Sequence, residues 1–345
     1  MKNTVVFDEY HDADLKPSDL IRRYIDLTRD DVIKILSAKD SLKSSPCPAC
    51  QSKKISSSFE KFKLTYNECG HCKTLFISPR PSDEKLDDFY KNSKSAIFWR
   101  EQLSLKTQAK RKEKIIKPRF QWILDSTLEY FPKARHYIDI NTNQFGYIEE
   151  LHKAQQFKQK TIIHPLMPKD AIRFDGEIDL VDLPWWQVEA HGRAPLLKSQ
   201  ADVVSLFEVC DRTADVEGLL KKVYSFLKTN GLCFMTNILI SGFDLQVLWE
   251  KAENLYPPDR LNVFSIEGLK LLFDRNGFEI LELSTPGILD ADLVLKAMKD
   301  NPQIEIPRFA RYLLSSRDED ARMNFQEFLQ SNLLSSYGRI VVRKR

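Results

Sequence analysis

A chain of 345 residues has room for one large domain and a small one, since a single hydrophobic core rarely grows beyond about 250–300 residues. Its 42% hydrophobic and 29% charged residues are those of an ordinary globular protein, and no run approaches the ~18 uninterrupted apolar residues of a membrane span. The formal charge of +3 is too slight to point to a nucleic acid, and the polar, acidic stretch Met1 to Asp14 has no apolar core of a secretion signal, so the cytoplasm is the expected compartment.

In chain order, residues 1–43 are expected to form a helical segment, with two short helices over 15–40. The second is opened by Thr28 with Asp31 three positions on, ahead of the apolar Val32, Ile33, Ile35 and Leu36. A polar linker, Ser41 to Pro46, leads into a cysteine module over 44–80 that closes at Pro79-Arg80-Pro81. Ser82 is placed to cap the next helix, with Leu86, Phe89 and Tyr90 on one side, and a helical connector is expected over 81–132. Within it, Lys91 to Arg119 gathers ten Lys and Arg against Glu101 and Glu113, which reads either as a solvated helix face or as a dock for phosphate or nucleotide.

The cysteine module carries Cys47-Pro-Ala-Cys50 and, eighteen residues later, Cys69-Gly-His-Cys72. Each Cys-x-x-Cys turns two thiolates toward one point, and four complete the closed tetrahedral shell of a structural zinc site, as in a zinc ribbon. The stretch Ile55 to Tyr66 supplies the intervening hairpin, and metal binding is expected to be coupled to local folding. A redox pair or unrelated buried cysteines are the rival readings. His71 reads as a bystander, and Cys210 and Cys233 as core thiols.

From 133 to 345 short apolar runs alternate with helical patterns, which predicts an α/β domain around a mainly parallel sheet. Strands are expected near 136–140, 160–164, 177–182, 202–207, 232–238, 278–283 and 337–343. A helix over 215–229 buries Val216, Leu219, Leu220, Val223, Phe226 and Leu227, with Asn230-Gly231 as its left-handed stop. Another runs from a Ser265 cap to Gly277. The interval 290–335 reads as a helical insertion over the carboxyl edge of the sheet. There is no internal repeat.

In such a sheet, ligands bind beyond the carboxyl ends of the strands, which directs attention to Tyr137-Ile-Asp-Ile-Asn-Thr-Asn-Gln-Phe-Gly146, to the end of the second strand and to Ala201-Asp-Val-Val-Ser-Leu-Phe-Glu-Val209. Together with Leu227-Lys-Thr-Asn-Gly-Leu232, Tyr256-Pro-Pro-Asp-Arg260 and the closing Tyr337-Gly-Arg-Ile-Val-Val-Arg-Lys344, these segments resemble the class I S-adenosylmethionine-dependent methyltransferases over roughly 45–345. The likeness is greatest to the bacterial branch with an N-terminal zinc-binding module, often associated with sugar or cell-surface glycan modification. The resemblance implies a Rossmann-like sheet of seven strands with the last antiparallel, a structural zinc at Cys47, Cys50, Cys69 and Cys72, and S-adenosylmethionine beside Asp139, Asn141, Asn143, Gly146, His164 and Glu208.

The chain departs from the family pattern at the cofactor. Three glycine positions hold Asn141, Asn143 and Phe145, and the ribose-binding acid after the second strand is His164. Asparagine tolerates positive φ, a neutral imidazole accepts one hydrogen bond where a carboxylate grips a diol, and Phe145 takes room that the cofactor needs. Two functions therefore stand side by side: methyl transfer to a small-molecule or glycan-linked acceptor, and a scaffold or binding subunit of the same fold that has lost catalysis and uses the ribbon and the insertion to meet a protein partner. Nucleic-acid binding ranks below both, for lack of a dense Arg and aromatic surface. Arg260 reads as a phosphate or sugar contact or as an ion pair with Asp259 or Asp244, and Trp185-Trp186 as a sugar platform or a core edge.

Overall fold

The computed structural model describes residues 17–38, 41–141, 147–167, 173–188 and 197–345. Its largest element follows from the apolar runs. Strands β4 (His136–Ile140) and β7 (Ala201–Phe207) are buried along their whole length, as interior parallel strands covered on both faces must be. Side chains still alternate between two cores. Ile138, Ile140, Val204 and Leu206 face one, with Leu219, Leu220 and Val223 of the helix Val216–Phe226, while Tyr137, Val203 and Phe207 face the other, with Phe120, Ile123 and Tyr147. Each such side chain contributes roughly 1.5–3 kcal/mol by leaving water.

Around this pair stand β5 (Gln159–Ile163), β6 (Asp179–Val181), β8 (Leu227–Ile238), β10 (Phe278–Ser284) and β11 (Tyr337–Lys344). The order is β10-β11-β8-β7-β4-β5-β6, with β11 antiparallel to both neighbours and the pairs β7–β8, β4–β7, β4–β5 and β5–β6 parallel. This is the Rossmann-like methyltransferase sheet expected from the sequence. Its order reverses between β4 and β7, so the crevice at their carboxyl ends is the place for a ligand.

Several local expectations hold. Ser82 accepts from Lys85 N and Ser265 from Gly268 N, capping the helices Asp83–Asn92 and Ile266–Arg275, and Gly277 takes φ 80° after the second; the helix Val216–Phe226 has a cap not read from the sequence, Asp215, which accepts from Gly218 N. The interval after β10 is helical, as Asp290–Asp300, Arg308–Ser316 and Glu319–Ser331.

Other expectations are corrected. Thr28 starts no helix: Ser18–Asp31 runs through it into a wide helical turn, Val32–Leu36, and the Thr28 hydroxyl donates to Tyr24 O at 2.8 Å, the back-bond that lets Thr sit inside a helix. Asp31 serves another element, accepting from Ser95 N at 2.7 Å. Asn230, at φ 63°, does not stop the helix either. The chain is already extended at Leu227, and Asn230 lies in the irregular stretch of β8 where the register against β7 jumps from Leu227 to Leu232.

The connector is helical over 94–130 without a break, with wide turns at Trp99–Leu103 and Lys112–Ile116. The second has a cause in Pro118, which donates no N–H and whose ring crowds the carbonyl of Lys114. Ahead of it, β1 (Ile55–Lys61), β2 (Leu64–Cys69) and β3 (Leu75–Ile77) form an antiparallel sheet. Its fourth strand, β9 (Asn262–Val263), comes from the chain between β8 and β10, and pairs with β3 at Leu75–Val263 and Phe76–Asn262. The β1–β2 hairpin turns through Phe62 and Lys63, both with positive φ, a backbone that usually selects Asn-Gly.

Candidate functional site

Two clusters stand out, one of sulfur and one of guanidinium. The first is built by two knuckles with the same backbone pattern. Cys47 N donates to Ser52 O and Gln51 N to Cys47 O; Cys69 N donates to Thr74 O and Lys73 N to Cys69 O. Gln51 and Lys73 both sit in the left-handed region, at φ 62° and 65°, where the chain must curl back after the second cysteine of each pair. The four Sγ atoms consequently lie within 4.8 Å of one another, an arrangement compatible with a metal ion. His71 is exposed and stands outside the cluster. Cys210 and Cys233 are buried core thiols, as expected.

The module is packed into the rest of the chain rather than tethered to it. Cys47, Cys69, Cys72 and Phe76 belong to the same core as Leu219, Leu269 and Phe273. Arg80, 3% exposed, donates to Asn262 Oδ1 at 3.0 Å and Ala214 O at 3.1 Å, and Arg275 donates to Pro48 O at 3.0 Å. Tyr66 donates to Arg260 O at 2.7 Å, so the sheet of the module holds the backbone of the second cluster.

That second cluster lines a cavity of about 260 Å³ over the carboxyl ends of β7 and β8 and the start of β11. The long helix supplies Arg111, Lys114 and Arg119; the loop after β7 supplies Glu208 and Arg212; the segment before β9 supplies Asp259 and Arg260. The first helix of the insertion contributes Asp290, Leu293 and Lys296 to the lining, and Ile21, Ile25 and Trp99 give it an apolar wall. Among the described residues, seven basic and four acidic side chains line it.

At its floor Glu208 stands at φ 58°, a strained backbone of the kind that clusters at functional sites, held by its N–H on Thr236 O at 2.9 Å. Its carboxylate has Arg119 at 3.6 Å and Arg212 and Arg260 at 3.8 Å each. Burial alone would raise its pKa, but Arg260, Arg119 and Arg212 together hold it down at about 2. It therefore remains an anion and is too weak a base to take a proton near neutrality. Arg119 is also stacked 4.7 Å over the Phe207 ring and donates to Tyr337 Oη at 2.9 Å.

Arg260 pairs with Asp211 at 3.3 Å, and not with the carboxylates of Asp259 or Asp244 as the sequence suggested. Asp259 instead accepts from Tyr24 and Tyr90 at 2.9 and 3.1 Å, and Asp244 accepts from Asn254 at 3.0 Å. Burial lifts the pKa of Asp211 to about 6 against the pull of Arg260. Trp185 is in the core and Trp186 donates to Asp87 at 2.9 Å, which ties Trp186 to the helix Asp83–Asn92.

The residues singled out at the first crossover lie along the same edge. Asp139, 1% exposed, accepts from Ser205 Oγ at 2.5 Å. Asn141 has φ 53° and donates its N–H to Ile163 O at 2.8 Å, so the first glycine position does take the left-handed backbone. His164 is buried, and its Nδ1 accepts from Leu166 N at 2.9 Å. Burial, with a smaller push from Arg100, lowers its pKa to about 4, and the ring stays neutral. Asn143, Phe145 and Gly146 lie outside the described residues. Sequence reasoning did not assign Arg119, Arg212 or Asp211 to the site; the signal for the first was the basic stretch from Lys91, which brings Arg111, Lys114 and Arg119 to the cavity.

Residues 120–283 match the family model described as a methyltransferase domain. No curated protein sequence matches the chain. Among solved structures, the chain is similar to the plantazolicin methyltransferase BamL, with 12% identity over 75% of this chain and 94% of the other and a TM-score of 0.47. It is also similar to the 1,6-didemethyltoxoflavin-N1-methyltransferase of Burkholderia thailandensis, at 10% identity over 84% and 99% with a TM-score of 0.45. A third likeness is to the cyclopropane synthase MmaA2 of Mycobacterium tuberculosis, at 10% identity over 64% and 84% with a TM-score of 0.36.

Proposed function

We propose that this chain is an S-adenosylmethionine-dependent methyltransferase with a structural zinc ion in its N-terminal module. The observation that carries the reading is the cavity over the carboxyl ends of β7 and β8, beside the switch point of a sheet with methyltransferase strand order. When bound, the cofactor supplies an electrophilic methyl on a sulfonium, which leaves as the thioether. Asp139, held by Ser205 Oγ, and Asn141, with its left-handed backbone, stand at the end of β4 where the cofactor would lie, and Glu208 lines the cavity beyond β7. Asn143, Gly146 and His164 complete the proposed surround. The acceptor is a small molecule, in line with a sugar or glycan precursor, and the reading places the protein in the cytoplasm.

Cys47, Cys50, Cys69 and Cys72 would hold the zinc. The sulfur pairs Cys47–Cys72 and Cys50–Cys69 are 3.6 and 3.5 Å apart, near the roughly 3.8 Å edge of a tetrahedron with zinc–sulfur bonds of about 2.3 Å. Four sulfurs leave no open position, so the ion would stabilise and not catalyse.

A second reading, a non-catalytic member of the fold that binds a protein partner, is favoured by His164. Its Nδ1 is engaged by Leu166 N and the ring stays neutral, so it offers no carboxylate to a ribose diol. Isothermal titration of the zinc-loaded chain with S-adenosylmethionine and S-adenosylhomocysteine decides between the two. Methyl transfer predicts saturable binding at micromolar concentrations, and millimolar or absent binding removes it in favour of the scaffold.

A further inference from the structure

The acidic residues of the cavity do not satisfy its basic ones. With Asp211, which backs Arg260 from outside the lining, counted among the acids, the basic groups among the described residues still outnumber the acidic by two. The three arginines around Glu208 stand at 3.6–3.8 Å, inside ion-pair range but beyond a hydrogen bond. Hydrogen-bonding capacity is left over. Among the described residues, the Nε atoms of Arg119, Arg212 and Arg260, and one terminal nitrogen of the fully buried Arg119, have no hydrogen-bond partner. Buried donors without partners are rare, and those in a native fold ask for an explanation.

We infer that this cavity binds the phosphate group of an organic phosphate ester, and that the methyl acceptor is therefore a phosphorylated small molecule. The identification of that ester as the acceptor rests on the methyltransferase reading; the anion site does not. A phosphate monoester carries about −1.5 to −2 charges near neutrality, which matches the unbalanced charge. Its tetrahedral oxygens accept from guanidinium groups arriving from several directions, and Arg119, Arg212 and Arg260 come from three separate segments. Glu208 keeps the arginines apart and oriented while the site is empty of anion. The apolar wall of Ile21, Ile25 and Trp99 then meets the body of the ester rather than its charge.

The test titrates the full zinc-loaded chain with inorganic phosphate and with phenyl phosphate at constant ionic strength, without cofactor. Saturable binding is expected for both, tighter by tenfold or more for the ester because the apolar wall contributes. Arg212→Gln, and separately Arg111→Gln in case the first variant folds poorly, are each expected to weaken phenyl phosphate binding at least tenfold, and Arg212→Lys to weaken it less than Arg212→Gln. No saturable binding by the unmodified chain, or unchanged affinity in both glutamine variants, overturns the anion site. Equal affinity for phosphate and its ester overturns the assignment to an organic ester. Titration of S-adenosylhomocysteine in parallel separates the two readings. Phenyl phosphate binding without cofactor binding keeps the anion site and removes the enzyme, and the converse removes only the anion site.

Discussion

The cysteine centre and the basic cavity are both gatherings of like groups, and they are finished in opposite ways. Two knuckles of identical hydrogen-bond pattern bring four sulfurs within 4.8 Å, and the centre sits against the main core with Leu269 and Phe273. In the cavity, arginines from three distant segments surround one carboxylate at 3.6–3.8 Å, with guanidinium donors that have no partner among the described residues. With a zinc ion bound as proposed, the closed cluster would serve the fold, since every ligand position would be taken from within the chain. An open one has part of its stabilisation still to come from outside.

Cys69→Ser breaks the closed cluster and is expected to have the largest effect. Structural zinc sites in small modules bind with apparent free energies of about 10–16 kcal/mol near neutrality, so metal content should fall from one zinc per chain to none and the thermal transition should drop steeply or vanish. Unaltered metal content, read by elemental analysis, or an unaltered transition would show that the cysteines are not a metal-coupled unit.

Glu208→Gln sharpens the contrast at the open cluster, where removing the carboxylate leaves the arginines to repel one another. Full burial would make such a loss cost about 3–5 kcal/mol. With 22% of the Glu208 side chain exposed, about 2 kcal/mol in urea denaturation is the reasonable expectation. The folded pKa lies below the ordinary value, so this stability is present above about pH 4.5 and is lost as pH falls toward 2. The glutamine variant should lack that part of the acid limb, and a variant with the same acid limb as the parent would place the titration elsewhere.

Tyr66→Phe probes the seam between the two. It removes the hydroxyl that donates to Arg260 O, for a loss of about 0.5–1.5 kcal/mol without loss of zinc. A stability unchanged within error would mean that the module does not hold the Arg260 segment through this bond.

The parts of the molecule that were legible in the sequence are those encoded by neighbours in the chain. Cys-x-x-Cys brings its own turn geometry, the runs at 136–140 and 201–207 are strands by their apolar continuity, and Ser265 announces a helix three residues ahead of Gly268. Thr28 misled because the same hydroxyl that caps a helix also bonds back inside one, and neighbouring residues do not distinguish the cases. Asn230 misled because positive φ serves an irregular strand as well as a helix end. The cavity was hidden for a different reason. Arg119, Glu208 with Arg212, and Arg260 are far apart in sequence, and Arg119 sits in a basic run that looks like a solvated surface although its side chain is 2% exposed. Only the closure of the sheet brings them together.

Strand β9 has a consequence for anyone who would treat the cysteine module as a removable cassette. Because its sheet borrows a strand from beyond residue 260, cutting the chain near residue 80 would strip β3 of its outer partner and expose an apolar strand edge, Leu75 to Ile77, to whatever else can pair with it. Both fragments would lose by the cut: the shorter one an edge guard, the longer one the brace behind its arginine. Chimeras that exchange the first 80 residues between such proteins should therefore carry the 256–265 segment across with them.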